Sequence, residues 1–343
     1  MVRVLFIGGL GRSGTTLLER VLGELPGVTP LGEIIHMWRR DVQDDERCAC
    51  GQPFSACPFW TEVGQRAYGG WANLDTARVL ALQQAVDRTR FIPKLAARKL
   101  DPQVAADVAE YVGHYERVYT AAAEVAGAQV VIDSSKNASL AYCLRWSTGI
   151  DLKVLHVVRD ARGVAYSWTK QVARPETDGH DEMTRYSPSR SAVLWNAHNT
   201  AFALLGRRGV DVRRLRYEEL IADPVATTAG LAQWLGVPAE LGFLAPGQVT
   251  LGSCHSAAGN PMRFTTGVLQ LRRDDAWRTK LPGGQRRLVG AMTAPWLGRY
   301  GYPVLARQRD AAAAESIRPS MPTQPGPGQP PVTAPRPGEG DER

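Results

Sequence analysis

The sequence has no apolar run approaching the roughly 18 residues that a membrane span needs. Its first apolar segment is short and passes directly into a glycine-rich turn, so it does not predict a signal peptide. A long Lys/Arg run is also missing, as is the mixture of aromatic and basic residues typical of nucleic-acid-binding proteins. We therefore expect a cytoplasmic protein with no integral membrane segment and no nucleic-acid partner.

Cysteine is scarce, with five in 343 residues, but three of the five are close together. Cys48, Cys50 and Cys57 are open to three interpretations: free structural thiols, a disulfide, which a reducing compartment disfavours, or a zinc site. A zinc site needs a fourth ligand, and His36 is the candidate closest in sequence. No metal ligand is assigned from the sequence.

The lysine of a nucleoside triphosphatase is absent from a motif that otherwise resembles a phosphate-binding loop. Residues 2–7 predict a buried strand, and a glycine-rich turn and an amphipathic segment at 17–25 follow it. Strand, glycine turn and helix together are typical of a phosphate cradle. Residues 9–16 fit the Walker frame, but Thr15 stands where that motif has Lys, and the basic residue is Arg12, inside the loop. This displacement argues against a site for β- and γ-phosphates.

The net charge of +7 has two interpretations, general basicity or an anionic and perhaps phosphorylated ligand. No cluster of carboxylates suited to magnesium is apparent in the sequence.

Short apolar segments alternate with helical patterns along the chain, and no internal repeat interrupts them. Strands are predicted at 2–7, 130–132, 152–158 and 210–215. This alternation predicts an α/β fold with a central parallel sheet flanked by helices, whose ligands bind at the carboxyl ends of the strands. We expect one domain over 1–308, with a loop-rich and helical insertion at 36–126. Residues 309–343 are rich in Pro and Gly and predict a disordered tail.

Two polar motifs directly follow predicted strands. Asp133-Ser134-Ser135-Lys136 follows the strand at 130–132, and Arg159 begins a motif that runs to Ser167 after the strand at 152–158. Each has an ordinary interpretation, since Asp133 or Ser135 would suit a helix cap and Arg159 would suit an ion pair. Because both motifs share one sheet edge with the glycine loop, Lys136 and Arg159 are also candidates for binding anions.

Taken together, these motifs resemble the sulfotransferases that use 3′-phosphoadenosine 5′-phosphosulfate (PAPS), over roughly residues 2–305. The resemblance implies a P-loop-like three-layer sandwich and in-line transfer of a sulfuryl group to an acceptor hydroxyl, with no metal required. It implies that the first loop grips the 5′-phosphosulfate through Arg12, Ser13, Gly14, Thr15 and Thr16. It also implies that Arg159 and Ser167 bind the 3′-phosphate.

The resemblance extends to the residues of the chemical step. Glu33 follows Gly32 as in the Gly-Glu pair of the tyrosylprotein branch, where the Glu is the general base. His36 competes for this role, since the ordinary pKa of histidine suits it better. Lys136 is similar to a lysine that stabilises the transition state, and Arg12 would neutralise charge beside it. The Lys-Thr-His motif of cytosolic sulfotransferases, with its base histidine, is not matched.

Two further positions complete the implied cofactor site. Tyr217, in Arg216-Tyr217-Glu218-Glu219, is similar to the tyrosine that contacts adenine, and Arg263 would add to the 3′-phosphate site. The resemblance also implies an acceptor, which could be a small molecule, a glycan, a lipid or a peptide, and whose site the insertion at 36–126 would shape. Two other functions stay open, a P-loop kinase that depends on ATP and magnesium, and a non-catalytic nucleotide-binding module.

Overall fold

The computed structural model describes residues 1–171 and 184–304, which belong to one compact unit, Met1–Val304. The predicted end of the domain at 308 and the predicted tail at 309–343 lie outside the described residues. Five parallel strands form the main sheet, in the order β2-β3-β1-β4-β5. Their bounds are β1 Val2–Gly8, β2 Val28–Pro30, β3 Val130–Lys136, β4 Ile150–Val158 and β5 Asp211–Arg216.

Both faces of this sheet are covered, as a parallel sheet requires. Side chains alternate along β1, so that Val4 and Phe6 belong to one hydrophobic cluster and Leu5 and Ile7 to another. The helices of the first half of the chain are α1 Thr15–Leu22, α2 Ile34–Arg40, α3 Pro58–Tyr68, α4 Thr76–Val86, α5 Ile92–Leu95 and α6 Pro102–Ala126. The predicted α/β fold with a central parallel sheet and helices on both sides is confirmed.

The second half of the chain adds helices and a small antiparallel sheet. The helices are α7 Ala138–Leu144, α8 Ala161–Thr169, α9 Pro188–Leu205, α10 Tyr217–Ala222, α11 Pro224–Leu235, α12 Trp277–Lys280 and α13 Gly283–Arg299. The small sheet has the order β6-β7-β8, with bounds β6 Leu244–Ala245, β7 Gln248–Leu251 and β8 Gly267–Gln270. Among the described residues, no helix combines the length and apolar character that would carry it across a bilayer.

Helix starts follow the sequence closely where a polar side chain caps them. Asp75 accepts the backbone N–H of Arg78 at the start of α4, and Asp160 accepts that of Arg162 at the start of α8. Asp133 and Ser135 do not cap a helix, because β3 continues to Lys136 and α7 begins after Asn137. The motif after residues 130–132 is therefore the buried end of a strand.

Candidate active site

A cavity of about 590 Å³ opens at the carboxyl ends of β1, β3 and β4. Its wall includes the glycine loop after β1, the end of β3 and the start of the segment after β4. Among the described residues that line it, Glu33 is the one acidic residue, and the basic residues are Arg12, Arg40, Lys136 and Arg159. This excess of positive charge in a concave site favours an anionic ligand.

The glycine loop presents the start of α1 to this cavity. Gly14 is the N-cap of α1 in the left-handed conformation, and no side chain caps the helix. Gly14, Thr15 and Thr16 line the cavity, where the first N–H groups of a helix and its partial positive charge attract anions. A Cβ on Gly14 would lie 2.4 Å from the ring of Tyr217, so the loop also packs closely against that tyrosine.

Arg12 is held inside the loop by an unusual backbone conformation and by an aromatic ring. Its φ is +73°, in the left-handed region that costs about 1–3 kcal/mol for a residue with a side chain. The guanidinium lies 5.3 Å from the ring centroid of Trp168, whose Nε1 donates to the carbonyl of Gly11 at 3.0 Å. Trp168 therefore positions both the loop and its arginine.

Glu33 and Lys136 form an ion pair within the cavity. Glu33 is the N-cap residue of α2, but its carboxylate does not cap the helix and contacts the Nζ of Lys136 instead. Only 12% of the Glu33 side chain and 13% of the Lys136 side chain are exposed. His36 Nε2 lies 3.7 Å from the other carboxylate oxygen. The base predicted from the sequence, its competitor and the predicted lysine are therefore neighbours.

The charges around this pair set its protonation state. Burial raises the pKa of Glu33, but the interactions with Lys136, His36 and Arg40 lower it by a larger amount. The pKa of Glu33 therefore lies below the ordinary glutamate value. Desolvation in the concave site lowers the pKa of His36, although 46% of its side chain is exposed, and Arg40 and Lys136 add to this while Glu33 opposes it. At neutral pH Glu33 is therefore an ionised proton acceptor, and His36 is neutral.

Lys136 also has a strained backbone. Its φ is +68°, and it stands at the end of β3, where its carbonyl accepts the N–H of Gly9 at 3.3 Å. The pairing of β1 with β3 shifts register just before this point, between Phe6 and Gly8. Strain of this kind persists where the surrounding structure fixes it, and it is common at functional sites.

A buried network behind Lys136 fixes the end of β3. Asp133 accepts the hydroxyl of Tyr119 and the backbone N–H and hydroxyl of Ser135, and burial raises the pKa of Asp133 to about 6. The Ser135 hydroxyl oxygen in turn accepts the N–H of Ile35 at 2.9 Å. This last bond ties the first turn of α2 to β3, and so ties Glu33 to Lys136.

A second buried carboxylate, Glu19 on α1, anchors the backbone on the other side of Glu33. It accepts the N–H of Gly32 at 2.8 Å and the hydroxyls of Ser134 at 2.6 Å and Ser256 at 2.8 Å. Burial raises its pKa, and the two serine hydroxyls oppose this. Glu19 thereby joins α1, the Gly32 turn and the loop after β7.

Gly32→Ala is expected to lower the free energy of unfolding by about 3 kcal/mol or more. Gly32 has a φ of +88°, and a Cβ there would lie 1.9 Å from the carbonyl oxygen of Ala257. The substitution adds backbone strain to a clash with main chain that cannot rotate away. Gly209→Ala is the matched control, since its φ is +87° and its Cβ meets open space. Urea denaturation should show a loss of about 1 kcal/mol for the control; equal losses would contradict the account of Gly32.

Arg159 lies at the end of β4 and is only 7% exposed. Its Nη1 donates to the carbonyl of Arg12 at 3.1 Å, and its Nη2 lies 3.1 Å from a carboxylate oxygen of Asp274. Lys170 contacts the same carboxylate at 3.4 Å. Burial raises the pKa of Asp274, and the hydrogen bond and charge of Arg159 lower it by more. This corner of the site therefore already attracts a negatively charged oxygen.

Of the other predicted cofactor residues, two lie at the cavity or beside Arg159, and two are buried away from the cavity. Ser167, on α8, lines the cavity, and the ring of Tyr217 lies 4.8 Å from the Arg159 guanidinium. Ser13 is buried in the loop and does not line the cavity. Arg263 is also buried, and its guanidinium donates to the carbonyls of Gly259 and Arg47 at 2.9 and 3.1 Å. The structure thus places Arg263 behind the cavity wall, where it holds two loops.

The structure brings together most of the predicted site and adds residues that sequence reasoning missed. The predicted residues on the cavity wall are Arg12, Gly14, Thr15, Thr16, Glu33, Lys136, Arg159 and Ser167. Trp168, Glu19 and Asp274 were missed. Glu19 could have been noticed as a charged residue within the apolar stretch of α1. Asp274 is distant in sequence from the predicted motifs, and no pattern around it indicated a role in the site.

Two sulfotransferases are among the solved structures to which this chain is similar. The sulfotransferase domain of the olefin synthase from Synechococcus PCC 7002 is 21% identical with a TM-score of 0.47, and the match covers 85% of this chain and 94% of that one. A sulfotransferase from Alicyclobacillus acidocaldarius is 14% identical with a TM-score of 0.38, and the match covers 86% and 92%. No protein-family model and no curated protein matches the chain.

Proposed function

We propose that this protein is a sulfotransferase that moves a sulfuryl group from PAPS to an acceptor hydroxyl. The observation that carries the proposal is the contact between Glu33 and Lys136 in the same cavity as the glycine loop. A proton acceptor, a cation and an anion cradle are the three components that transfer of a charged group to a hydroxyl needs. A non-catalytic nucleotide-binding module would need only the cradle.

The charges of the cavity fit a nucleotide with two separate anionic ends. The glycine loop and Arg12 suit the phosphosulfate, and Arg159 with Ser167 suits the 3′-phosphate, since arginine binds charged oxygens through a planar fork. Tyr217 packs against both Gly14 and Arg159, between these two regions, and is the residue we assign to adenine. The position of Thr15 in place of the Walker lysine agrees with a ligand that has no γ-phosphate.

When bound, PAPS supplies the sulfuryl group, whose bond to a phosphate oxygen breaks as its bond to the acceptor oxygen forms. Glu33 takes the proton of the acceptor hydroxyl, and its lowered pKa keeps it ionised for this task at neutral pH. Lys136 neutralises charge on the transferring group, and Arg12 together with the N–H groups of the loop holds the leaving phosphate. His36 contacts Glu33 and stays neutral, so we give it a supporting role.

The acceptor would enter through the part of the cavity away from the glycine loop. His36 and Arg40 on α2 line this cavity, as do Tyr186, Leu194 and His198 on and near α9. This mixed lining suits an acceptor with both polar and apolar parts, and a small molecule, a glycan, a lipid and a peptide are all compatible with it. The cytoplasm stays the predicted compartment.

The direct test is release of adenosine 3′,5′-bisphosphate from PAPS in the presence of a panel of hydroxyl compounds. We expect release that depends on the acceptor, that requires no added magnesium, and that accompanies transfer of labelled sulfate to the acceptor. Turnover of ATP with magnesium in place of PAPS would instead support the kinase alternative and overturn the proposal.

Arg159→Ala is expected to weaken binding of adenosine 3′,5′-bisphosphate by about 100-fold, or about 2.7 kcal/mol. The substitution removes a buried cation that we assign to the 3′-phosphate, and hydrogen bonds to charged groups have large energies. The affinity of Arg159→Lys for the bisphosphate should fall between those of wild type and Arg159→Ala, since lysine keeps the charge but lacks the planar fork of arginine. Arg213→Ala, an exposed arginine on β5, is the control. Equal affinities of the Arg159→Ala variant and wild type would contradict the assignment.

A further inference from the structure

The cysteine cluster meets a histidine that lies far away in the sequence. Cys48, Cys50 and Cys57 lie between α2 and α3, and His255 follows β7. The four ligand atoms, three Sγ atoms and a ring nitrogen, all lie within 4.8 Å of one another. The histidine is therefore His255; His36, the candidate from the sequence, contacts Glu33 in the active-site cavity instead.

Four of the six spacings between these atoms are close to the edges of a tetrahedron around a zinc ion. With Zn–S near 2.3 Å and Zn–N near 2.0–2.1 Å, a tetrahedral site separates two sulfurs by about 3.8 Å and a sulfur from a nitrogen by about 3.5 Å. Cys57 Sγ lies 3.6 Å from Cys48 Sγ, 3.7 Å from Cys50 Sγ and 3.2 Å from the Nδ1 of His255. Cys48 Sγ lies 3.9 Å from the same nitrogen. All three cysteines are free of disulfides.

The surroundings hold the four side chains in place. The ring of Phe59 stacks on His255 with 5.1 Å between centroids and 13° between planes, and Trp60 Nε1 donates to the His255 carbonyl at 2.7 Å. Cys57 is the N-cap of α3, where the partial positive charge of the helix favours a thiolate. Cys48 and Cys57 are buried, and Cys50 and His255 are half-buried. These features favour a preformed ligand set.

We infer that Cys48, Cys50, Cys57 and His255 bind one zinc ion as a structural site. Three thiolates and one imidazole fill the four positions that structural zinc uses, so no position is left for a reacting water. The ion lies outside the set of residues that line the active-site cavity, and it takes no part in sulfuryl transfer.

The zinc would act on the active site by fixing one loop. Directly after His255, the Ser256 hydroxyl donates to Glu19, and Ala257 accepts the N–H of Glu33 at 3.2 Å. Gly259 packs against the Glu33 carboxylate so closely that a Cβ would lie 2.6 Å from it. The metal would thus join the cysteine segment to the loop that supports Glu33.

The test is the metal content of the full chain, purified without chelators and measured by elemental mass spectrometry. We expect about one zinc per chain. Cobalt(II) added to metal-free protein should give the intense visible and near-ultraviolet bands of tetrahedral thiolate coordination. Protein that carries no zinc and gives no such cobalt spectrum would overturn the proposal, as would an intact mass that shows a disulfide within the cluster.

His255→Gln and Cys50→Ser test the ligand set, at the two positions where partial exposure makes misfolding least severe. Each should reduce zinc affinity by more than the roughly 10- to 100-fold that loss of a supporting group costs. Cys254→Ser is the matched control, a buried cysteine beside His255 but outside the cluster, and it should keep the zinc of wild type. Unchanged zinc affinity in the His255→Gln variant would contradict the assignment of the fourth ligand. If the variants do not fold, the cobalt spectrum of wild type still decides.

Discussion

Lys136→Met is expected to lower kcat for sulfuryl transfer by about 10²- to 10³-fold, with a much smaller effect on the affinity for adenosine 3′,5′-bisphosphate. That is the effect of removing one group that stabilises charge in a transition state. Lys136 reaches the cavity from the end of β3 and contacts Glu33, rather than sitting within the glycine loop, so its loss leaves the cradle for the leaving phosphate in place. Methionine keeps an unbranched side chain of similar length and removes the charge and the N–H donors of lysine.

Steady-state kinetics and calorimetry together separate the two effects for this variant. Lys94→Met is the control, since Lys94 is exposed on α5 beside Phe91 and does not line the cavity. A Lys136→Met variant that loses bisphosphate affinity as strongly as kcat would assign the lysine to binding. A variant with the kcat of wild type would remove it from the chemical step.

Glu33→Gln is expected to lower kcat by about 10²- to 10⁴-fold at neutral pH, which is the usual contribution of a general base. Glutamine keeps the shape of the side chain but cannot take a proton from the acceptor. His36→Gln should lower kcat far less, because the structure places His36 beside the carboxylate with its pKa already lowered. A large loss in the histidine variant with little loss in the glutamate variant would reverse the assignment of the base.

The pH dependence of kcat gives a second readout for Glu33. A base must be deprotonated, so activity falls as pH falls through its pKa, which lies below the ordinary glutamate value in this site. The same acidic limb should be missing from Glu33→Gln. In Lys136→Met the limb should move to higher pH, because burial raises the pKa of Glu33 and a cation that opposed this is gone. An unmoved limb in Lys136→Met would show that another group titrates.

The strands of the main sheet could be predicted where most of their residues are apolar. Residues 2–7 and 152–158 are such segments, because a parallel strand covered on both faces has no polar alternation. The edge strand Val28–Pro30 was missed, since three residues with a proline carry no periodic pattern. The polar end of β3 was not predicted as strand, because Asp133 and Ser135 suit a helix cap, whereas here Tyr119 and Ile35 satisfy them.

The site could be predicted where its residues belong to short sequence motifs at the ends of strands. Arg12, Lys136 and Arg159 each lie at or shortly after the carboxyl end of a strand, and parallel strands bring such positions to one edge of the sheet. The pairing of Arg159 with Asp274 and the meeting of Cys57 with His255 depend on loops that return to the sheet after a hundred residues or more, as their contacts show. The two residues of each pair are not part of one local motif, so no pattern in the sequence indicated that they would meet.

Isothermal titration calorimetry of the full chain with adenosine 3′,5′-bisphosphate and with ATP, in a buffer without added magnesium or chelator, tests the central claim most directly. The cavity with its glycine loop and Arg159 predicts one site for the bisphosphate with a Kd of about 1 μM or below, roughly −8 kcal/mol. It predicts that ATP binds at least about 100-fold more weakly, a difference of about 2.7 kcal/mol. Tighter binding of ATP, or binding of either nucleotide only when magnesium is added, would contradict the assignment of the cavity to PAPS.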